Sequence, residues 1–311
     1  MPKNVVVVKQ NLPETNYIFA RHETFHPRFG WIKKGFDLAN KTPEIFLLDE
    51  APILLGVGKN MVNSIRYWCH AFKVLREDVD SGNRGRSSFA TEFGTKLLGD
   101  EGWDTYLEDP ASLWLLHWHL LSRPCMASSW YFLFNIFTLN DFDDNQLLDG
   151  LKRYASAKGN VAEGSLKKDI SCMIRMYANN KNKSGPIEDS IDCPFTELGL
   201  IFNNDISHRF SFRFGVKTNL PPEVIVATCL EYAEITNAQT IAVSRLLYEE
   251  GSPGMVFKLT ESALCDAIEI VSRQDSTISL SDSSGLLQFS FRGEASELSD
   301  NLLKNYYGSH I

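Results

Sequence analysis

KNMVNSIRYWCHAFKVL, residues 59–75, is the clearest helical segment of the chain, and its surroundings set the expected fold. Met61, Ile65, Trp68 and Phe72 recur at steps of 4, 3 and 4, which places them on one helix face. Lys59, Asn63, Arg66 and His70 recur at the same steps on another face, flanked by Asn60 and Tyr67. Asn and Arg are the side chains that read adenine and guanine edges in a major groove. Upstream, Trp31–Asn40 reads as a helix, Asp49–Leu55 as a short one, and Gly56-Val57-Gly58 as the turn between helices. Downstream, a loop rich in Ser, Gly and Arg places Arg84 and Arg86 for phosphate contacts, and Phe89–Leu98 is expected to form a hairpin. Helix, short helix, turn, amphipathic helix and hairpin in that order predict a winged helix-turn-helix. The competing reading of the polar face is a solvated surface of a generic helical domain, and winged helices also serve as protein-interaction modules.

Beyond residue 100, Asp109-Pro110 opens a helix to Ser122, and Ser128 can cap a second one to about Asn140. Both are apolar nearly all round, so they are expected at a buried helical centre. Asp143–Lys158 and Ser165–Asn179 follow as a helix pair. The second has Leu166, Ile170, Met173 and Tyr177 inward and Lys167, Lys168, Ser171 and Arg175 outward. Asn179–Pro186 is the best linker. Phe195–Phe202 and Arg209–Val216 read as strands, and Pro221–Glu234, Thr240–Glu250 and Thr260–Ser272 as helices. Ile278–Leu280 and Leu287–Phe291 flank a DSSG turn, and Ala295–Tyr306 closes the chain as a helix. The expected class is therefore α+β, mostly helical, with winged helix-turn-helix units around a buried helical centre. Three domains follow: 1–100, winged-helix-like and DNA-binding; 101–185, helical with a basic helix pair; 186–311, acidic and again winged-helix-like.

The 311 residues carry 31 Lys/Arg against 39 Asp/Glu, a net charge of −8, with 43% apolar residues. Such a composition excludes disordered, collagen-like and coiled-coil chains. The charge is unevenly spread. Residues 1–185 hold 23 basic and 21 acidic side chains, whereas 186–311 hold 8 and 18. A polyanion would thus bind the first two thirds. The six cysteines contain no C-x-x-C pair, which points to buried free thiols in a reducing cytoplasm. The start MPKNVVVVKQ lacks the features of a signal peptide, and the most apolar runs are about half the length of a spanning helix, so a cytoplasmic protein is expected.

Several motifs fail on chemistry. His22-Glu23-Thr24-Phe25-His26 spells the H-E-x-x-H of zinc proteases, but Pro27 biases the second His away from helical angles. Gly56-Val57-Gly58-Lys59 lacks the first Gly and the Ser/Thr of a phosphate loop. His117 and His119 point about 200° apart on a helix and cannot share a metal. Asp141, Asp143 and Asp144 suit either a magnesium site or the cap of the next helix.

H-E-T-F-x-x-R-x-G-W-x-K-K-G (His22–Gly35) and E-A-P-x-L-L-G-V-G-K-N-M-V-x-S-I-R-Y-W (Glu50–Trp68) are long and specific. Phe89–Leu98 approximates F-x-x-T-x-x-G-x-x-L-L, and Phe195–Ile201 reads FTELGLI. Together they resemble an uncharacterised-domain family of bacterial defence islands that includes the SspB-type proteins of single-strand DNA phosphorothioate (Ssp) modification. The resemblance covers about residues 17–205. It implies a protein acting on DNA while sulfur replaces a phosphate oxygen, with nicking of one strand; a metal-dependent nickase would use Mg²⁺ or Mn²⁺. Implied partners are a cysteine desulfurase, an ATPase and an ATP-pyrophosphatase-like protein. The family's H-E-T-F-x-x-R segment maps onto His22, Glu23 and Arg28, where His22 or Glu23 would be general base or metal ligand and Arg28 would hold the phosphate. Structural ion pairs from Glu23 to Arg28 and Lys33 are the competing account. DNA contact is expected at Lys59, Asn60, Asn63, Arg66, Tyr67, Arg84 and Arg86, and at Lys167, Lys168 and Arg175. Two functions stay open: a DNA nickase, and a non-catalytic winged-helix adaptor whose acidic third docks sulfur-transfer partners.

Overall fold

The computed structural model describes residues 17–78, 87–157, 159, 161–178, 193–204 and 206–309. Its first part holds α1 (Trp31–Lys41), α2 (Ala51–Leu55), α3 (Lys59–Ala71), β1 (Leu75–Glu77), β2 (Ser88–Ala90) and α4 (Glu92–Leu98). The helix expected over 59–75 ends early because Lys73 takes φ +59° and the chain turns into β1. β1 pairs with β2, so the hairpin lies ahead of the segment expected to form it. Residues 92–98 are instead helical, since the Thr91 hydroxyl accepts from the Gly94 N–H at 2.9 Å and caps α4.

The middle holds α5 (Pro110–Leu121), α6 (Ser128–Asn135), β3 (Asp141–Phe142), α7 (Asp144–Ser156) and α8 (Glu163–Tyr177). Asp109 caps α5 through the Ala111 N–H, with Pro110 at the first position. Nearly every residue of α5 and all of α6 are buried, which gives the buried helical centre. α6 ends at Asn135 rather than near 140, and it has no side-chain cap, so Ser128 does not play that role. α7 starts with a capping box: Asp143 accepts from Asn145 and Gln146, and Gln146 answers to the Asp143 N–H. Capping thus accounts for Asp143. The linker expected at 179–186, and Arg84 and Arg86, lie outside the described residues.

The last part holds β4 (Ile201–Asn204), β5 (Arg209–Phe212), α9 (Pro222–Ile235), β6 (Thr240–Ala242), α10 (Val243–Tyr248), α11 (Pro253–Phe257), α12 (Glu261–Gln274), β7 (Ile278–Ser283), β8 (Leu286–Phe291) and α13 (Ala295–Gly308). Residues 194–198 form a 3₁₀ turn that Gly199 ends at φ +59°, so the first expected strand begins only at Ile201. Residues 240–242 are a strand, not the start of a helix, because Ile241 pairs with Phe289 and points into the core. Two antiparallel three-stranded sheets result, ordered β3-β5-β4 and β6-β8-β7. The first pairs Phe142 with Phe210 and so crosses the boundary expected at 185–186.

Buried apolar side chains from Trp31 to Tyr307 form one cluster, with Trp68, Trp114, Trp118 and Trp130 fully enclosed. The fold is thus α+β and mostly helical. Among the described residues the cysteines are free thiols, all but Cys265 buried. No helix among them is long and apolar enough to cross a membrane.

Candidate nucleic-acid interface

The H-E-T-F segment is a tight turn, not a helix: Ala20, Glu23 and Thr24 all have positive φ. One carboxylate on α8 pins it. Asp169 accepts from the Ala20 N–H at 2.9 Å, from the Ser129 hydroxyl at 2.5 Å, and sits 2.8 Å from His22 Nε2. The His22 ring is fully buried among Trp68, Trp130 and Tyr67. From inside this aromatic box it cannot reach a solvent-borne substrate. Glu23, the next residue, is exposed at the apex of the turn. Trp68 Nε1 donates to the Phe25 carbonyl at 3.0 Å and ties the end of the turn to α3. Arg28 lies over the rings of Trp31 and Phe25 at 5.3 and 5.9 Å. Lys33 pairs with Asp37, not Glu23. The protease spelling therefore has no structural counterpart.

Two sets of residues far apart in sequence come together here. Arg175, on α8, donates Nη2 to the Thr24 carbonyl at 2.7 Å. The same Arg175 borders a groove of about 410 Å³ between α7 and α8, with Lys167, Ser171 and Asp144 on its walls. Burial, and then the neighbouring Asp143, raise the Asp144 carboxyl above its ordinary value. Lys167 and Lys152 both bond to Glu163, at 2.6 and 2.8 Å, and hold its carboxyl down at about 2. Lys168 stands exposed one residue on.

The face expected on α3 is only partly presented. Lys59, Asn60 and Asn63 are exposed at its start. Arg66 is half-buried and paired with Glu77 at 3.0 Å. Tyr67 is buried against Trp68, and burial raises its phenol well above its ordinary value, so it belongs to the core rather than to a reading surface. His70 is likewise buried, 3.0 Å from Ser88 Oγ. Gly56 ends α2 at φ +65° and Gly58 precedes α3, which accounts for both glycines without a phosphate loop. His117 is a core residue between the Tyr177 hydroxyl and the Val256 carbonyl.

The DUF4007 family, described as proteins of unknown function, matches residues 19–307. Two solved structures cover 94% of this chain and 89% of their own at 37% identity. One is described as SspB, with a TM-score of 0.89, the other as magnesium ion-bound SspB, with 0.90. The chain is a DUF4007 protein of the SspB type. No curated protein sequence matches it.

In this SspB-type chain, sequence reasoning missed Asp169 and Ser129. The signal for Asp169 was present: it lies three residues after Leu166 and four before Met173, on the apolar side of α8, where a carboxylate needs a partner. A magnesium ion asks for oxygen ligands. Among the described residues no three His, Cys, Asp or Glu side chains converge to hold one. Arg209 bonds Asp141 and lies 3.5 Å from Asp143, so two of the three clustered aspartates are engaged. These residues do not fit a closed metal cage.

Proposed function

We propose that this protein is the DNA-acting component of a phosphorothioate-based Ssp defence system and that it nicks one strand for sulfur insertion. The supporting observation is the Arg175 bridge, which joins the turn carrying exposed Glu23 to a basic helix face and its groove. In this reading Lys168 and Arg175 hold the phosphate backbone, and Lys59, Asn60 and Asn63 contact a second stretch of duplex. Glu23 takes a proton from water as that water attacks phosphorus, and the departing sugar oxygen gains a proton from solvent. Arg28 stacks beneath the turn and keeps its shape, while His22 positions it from inside. Kinship with SspB, one form of which is described as magnesium-bound, supports both the system and a divalent ion, Mg²⁺ or Mn²⁺, as an aid to nicking. A cysteine desulfurase, an ATPase and an ATP-pyrophosphatase-like protein are the corresponding partners, in the cytoplasm.

The succession α9, β6, α10, α11, α12, β7, β8, with sheet order β6-β8-β7 and the five-residue α11 between α10 and α12, supports a winged-helix reading of the acidic third. In the first part α2, α3 and the β1–β2 hairpin support the same reading. The excess of acidic side chains in residues 186–311, 18 against 8 basic, favours a second account, a non-catalytic adaptor whose acidic third docks partners. Supercoiled plasmid incubated with purified protein, with and without Mg²⁺ or Mn²⁺, separates the two. Metal-dependent open circles are expected. Intact supercoils together with a salt-sensitive gel shift would establish the adaptor.

A further inference from the structure

Away from the DNA-facing surface, Lys73, His119 and Glu231 line one cavity of about 390 Å³. It lies where the turn after α3, together with α4, meets α5, α9 and α13. Each of the three is half-buried, as a group on the wall of an open cleft is. The Lys73 ammonium donates to the carbonyl and hydroxyl of Ser122 at 2.8 and 2.6 Å. One Glu231 oxygen accepts from Trp118 Nε1 at 2.6 Å. Lys73 and Glu231 feel each other's charge, yet among the described residues they form no ion pair. The other cations of the cavity are engaged: Lys96 by Glu92 and Asp300, Arg123 by Glu250 and the Tyr131 hydroxyl. His119 packs on Phe93 at 3.8 Å, and Trp103 stacks on Tyr307 at the same cavity.

Two opposite charges on the wall of one cleft, each half-buried and not joined to the other, suit a ligand that carries both charges. Lys73 is also the left-handed residue that ends α3, a position where glycine carries no penalty. The chain accepts that strain and gains an ammonium in the cavity.

We propose that this cavity binds a small zwitterion of the α-amino-acid class, its carboxylate on Lys73 and its ammonium on Glu231, with Phe93 and Trp103 beside its side chain. The volume lies within the range of small-molecule pockets. Burial holds Glu231 up at about 7 and Lys73 down at about 8, so each charge gains from a ligand that brings its opposite. The site is independent of the DNA-facing groove and of the nicking reading.

The test is thermal unfolding of the full chain with each of the twenty free amino acids in turn at millimolar concentration. At least one should raise the Tm by about 1–2 °C, the shift expected from occupancy several times Kd in a chain of this size. Its methyl ester and its N-acetyl form, each lacking one charge, should not. Glu231→Gln keeps an acceptor for the Trp118 indole, and Lys73→Met keeps the aliphatic stem; both should abolish the response. If a variant fails to fold, the ester and N-acetyl comparison on the wild-type chain decides. No shift from any amino acid, equal shifts from the blocked forms, or a response that survives in folded Glu231→Gln would overturn the proposal.

Discussion

Asp169 shows what one buried charge demands of its neighbours. It is 1% exposed and takes three hydrogen bonds from groups up to 149 residues away. Asp169→Ala leaves the Ala20 N–H, the Ser129 hydroxyl and the His22 ring in a dry site without their acceptor. The expected loss is about 3–5 kcal/mol in a urea titration. A loss under 1 kcal/mol would mean that the turn does not depend on this pin. Titration gives a second prediction. Burial lowers His70 to about 4, and His117 and His119 to about 3, so the unfolded chain binds more protons between pH 3 and 6.5. Glu231, raised to about 7, takes up its proton in the native state and opposes them. Lys258, which burial lowers to about 7, adds to the histidines, so stability should fall by about 3–5 kcal/mol from pH 7.5 to 5, read as a lower urea midpoint. A midpoint that holds or rises would contradict the burial of these histidines.

At the scale of elements, α8 does two things at once: its inner side holds Asp169 against the turn, and its outer side presents Lys168 and Arg175. Lys168→Ala should lower the salt slope of DNA binding by about one unit. Lys167→Ala should lower it less, because Glu163 already shares that ammonium. Equal slopes in wild type and Lys168→Ala would remove α8 from the interface. Gly94 marks another tight junction. A Cβ there would lie 2.2 Å from the Val74 carbonyl oxygen, so Gly94→Ala must push α4 off β1. A cost of about 1–3 kcal/mol is expected by thermal unfolding. The elements legible in the sequence were those with period or punctuation. α1, α3, α7, α8, α9 and α12 carry helical spacing or a cap, and the β7–β8 hairpin carries its turn. Short pieces misread. The segment 92–98 is too brief for its period to show, and the strand at 240–242 owes its form to Phe289, 48 residues on. α3 was right in kind but its polar stripe was overdrawn, since Tyr67 and His70 are covered by tertiary neighbours that no helical wheel contains.

Over the whole molecule, contacts remote in sequence fasten the first, middle and last parts to each other. Lys96 reaches Asp300 at 2.5 Å, Arg123 reaches Glu250 at 2.5 Å, and Lys258 donates to the Phe134 carbonyl at 2.6 Å. The candidate site has the same character. Its basic half was readable on α8 and its H-E-T-F half on residues 22–28, but their junction through Arg175 and Thr24 spans 151 residues and exists only in the fold. For the same reason the sequence left His22 and Glu23 as equal candidates, whereas Asp169, 147 residues from His22, draws His22 inward and leaves Glu23 outside. The central claim is that this assembled turn and groove cut DNA. Plasmid nicking in the presence of Mg²⁺ by wild type and Glu23→Gln, with DNA affinity measured alongside, addresses it most directly. The account predicts a loss of nicking rate of about 100-fold or more in Glu23→Gln with affinity changed less than about twofold. Nicking at the wild-type rate in Glu23→Gln would contradict it.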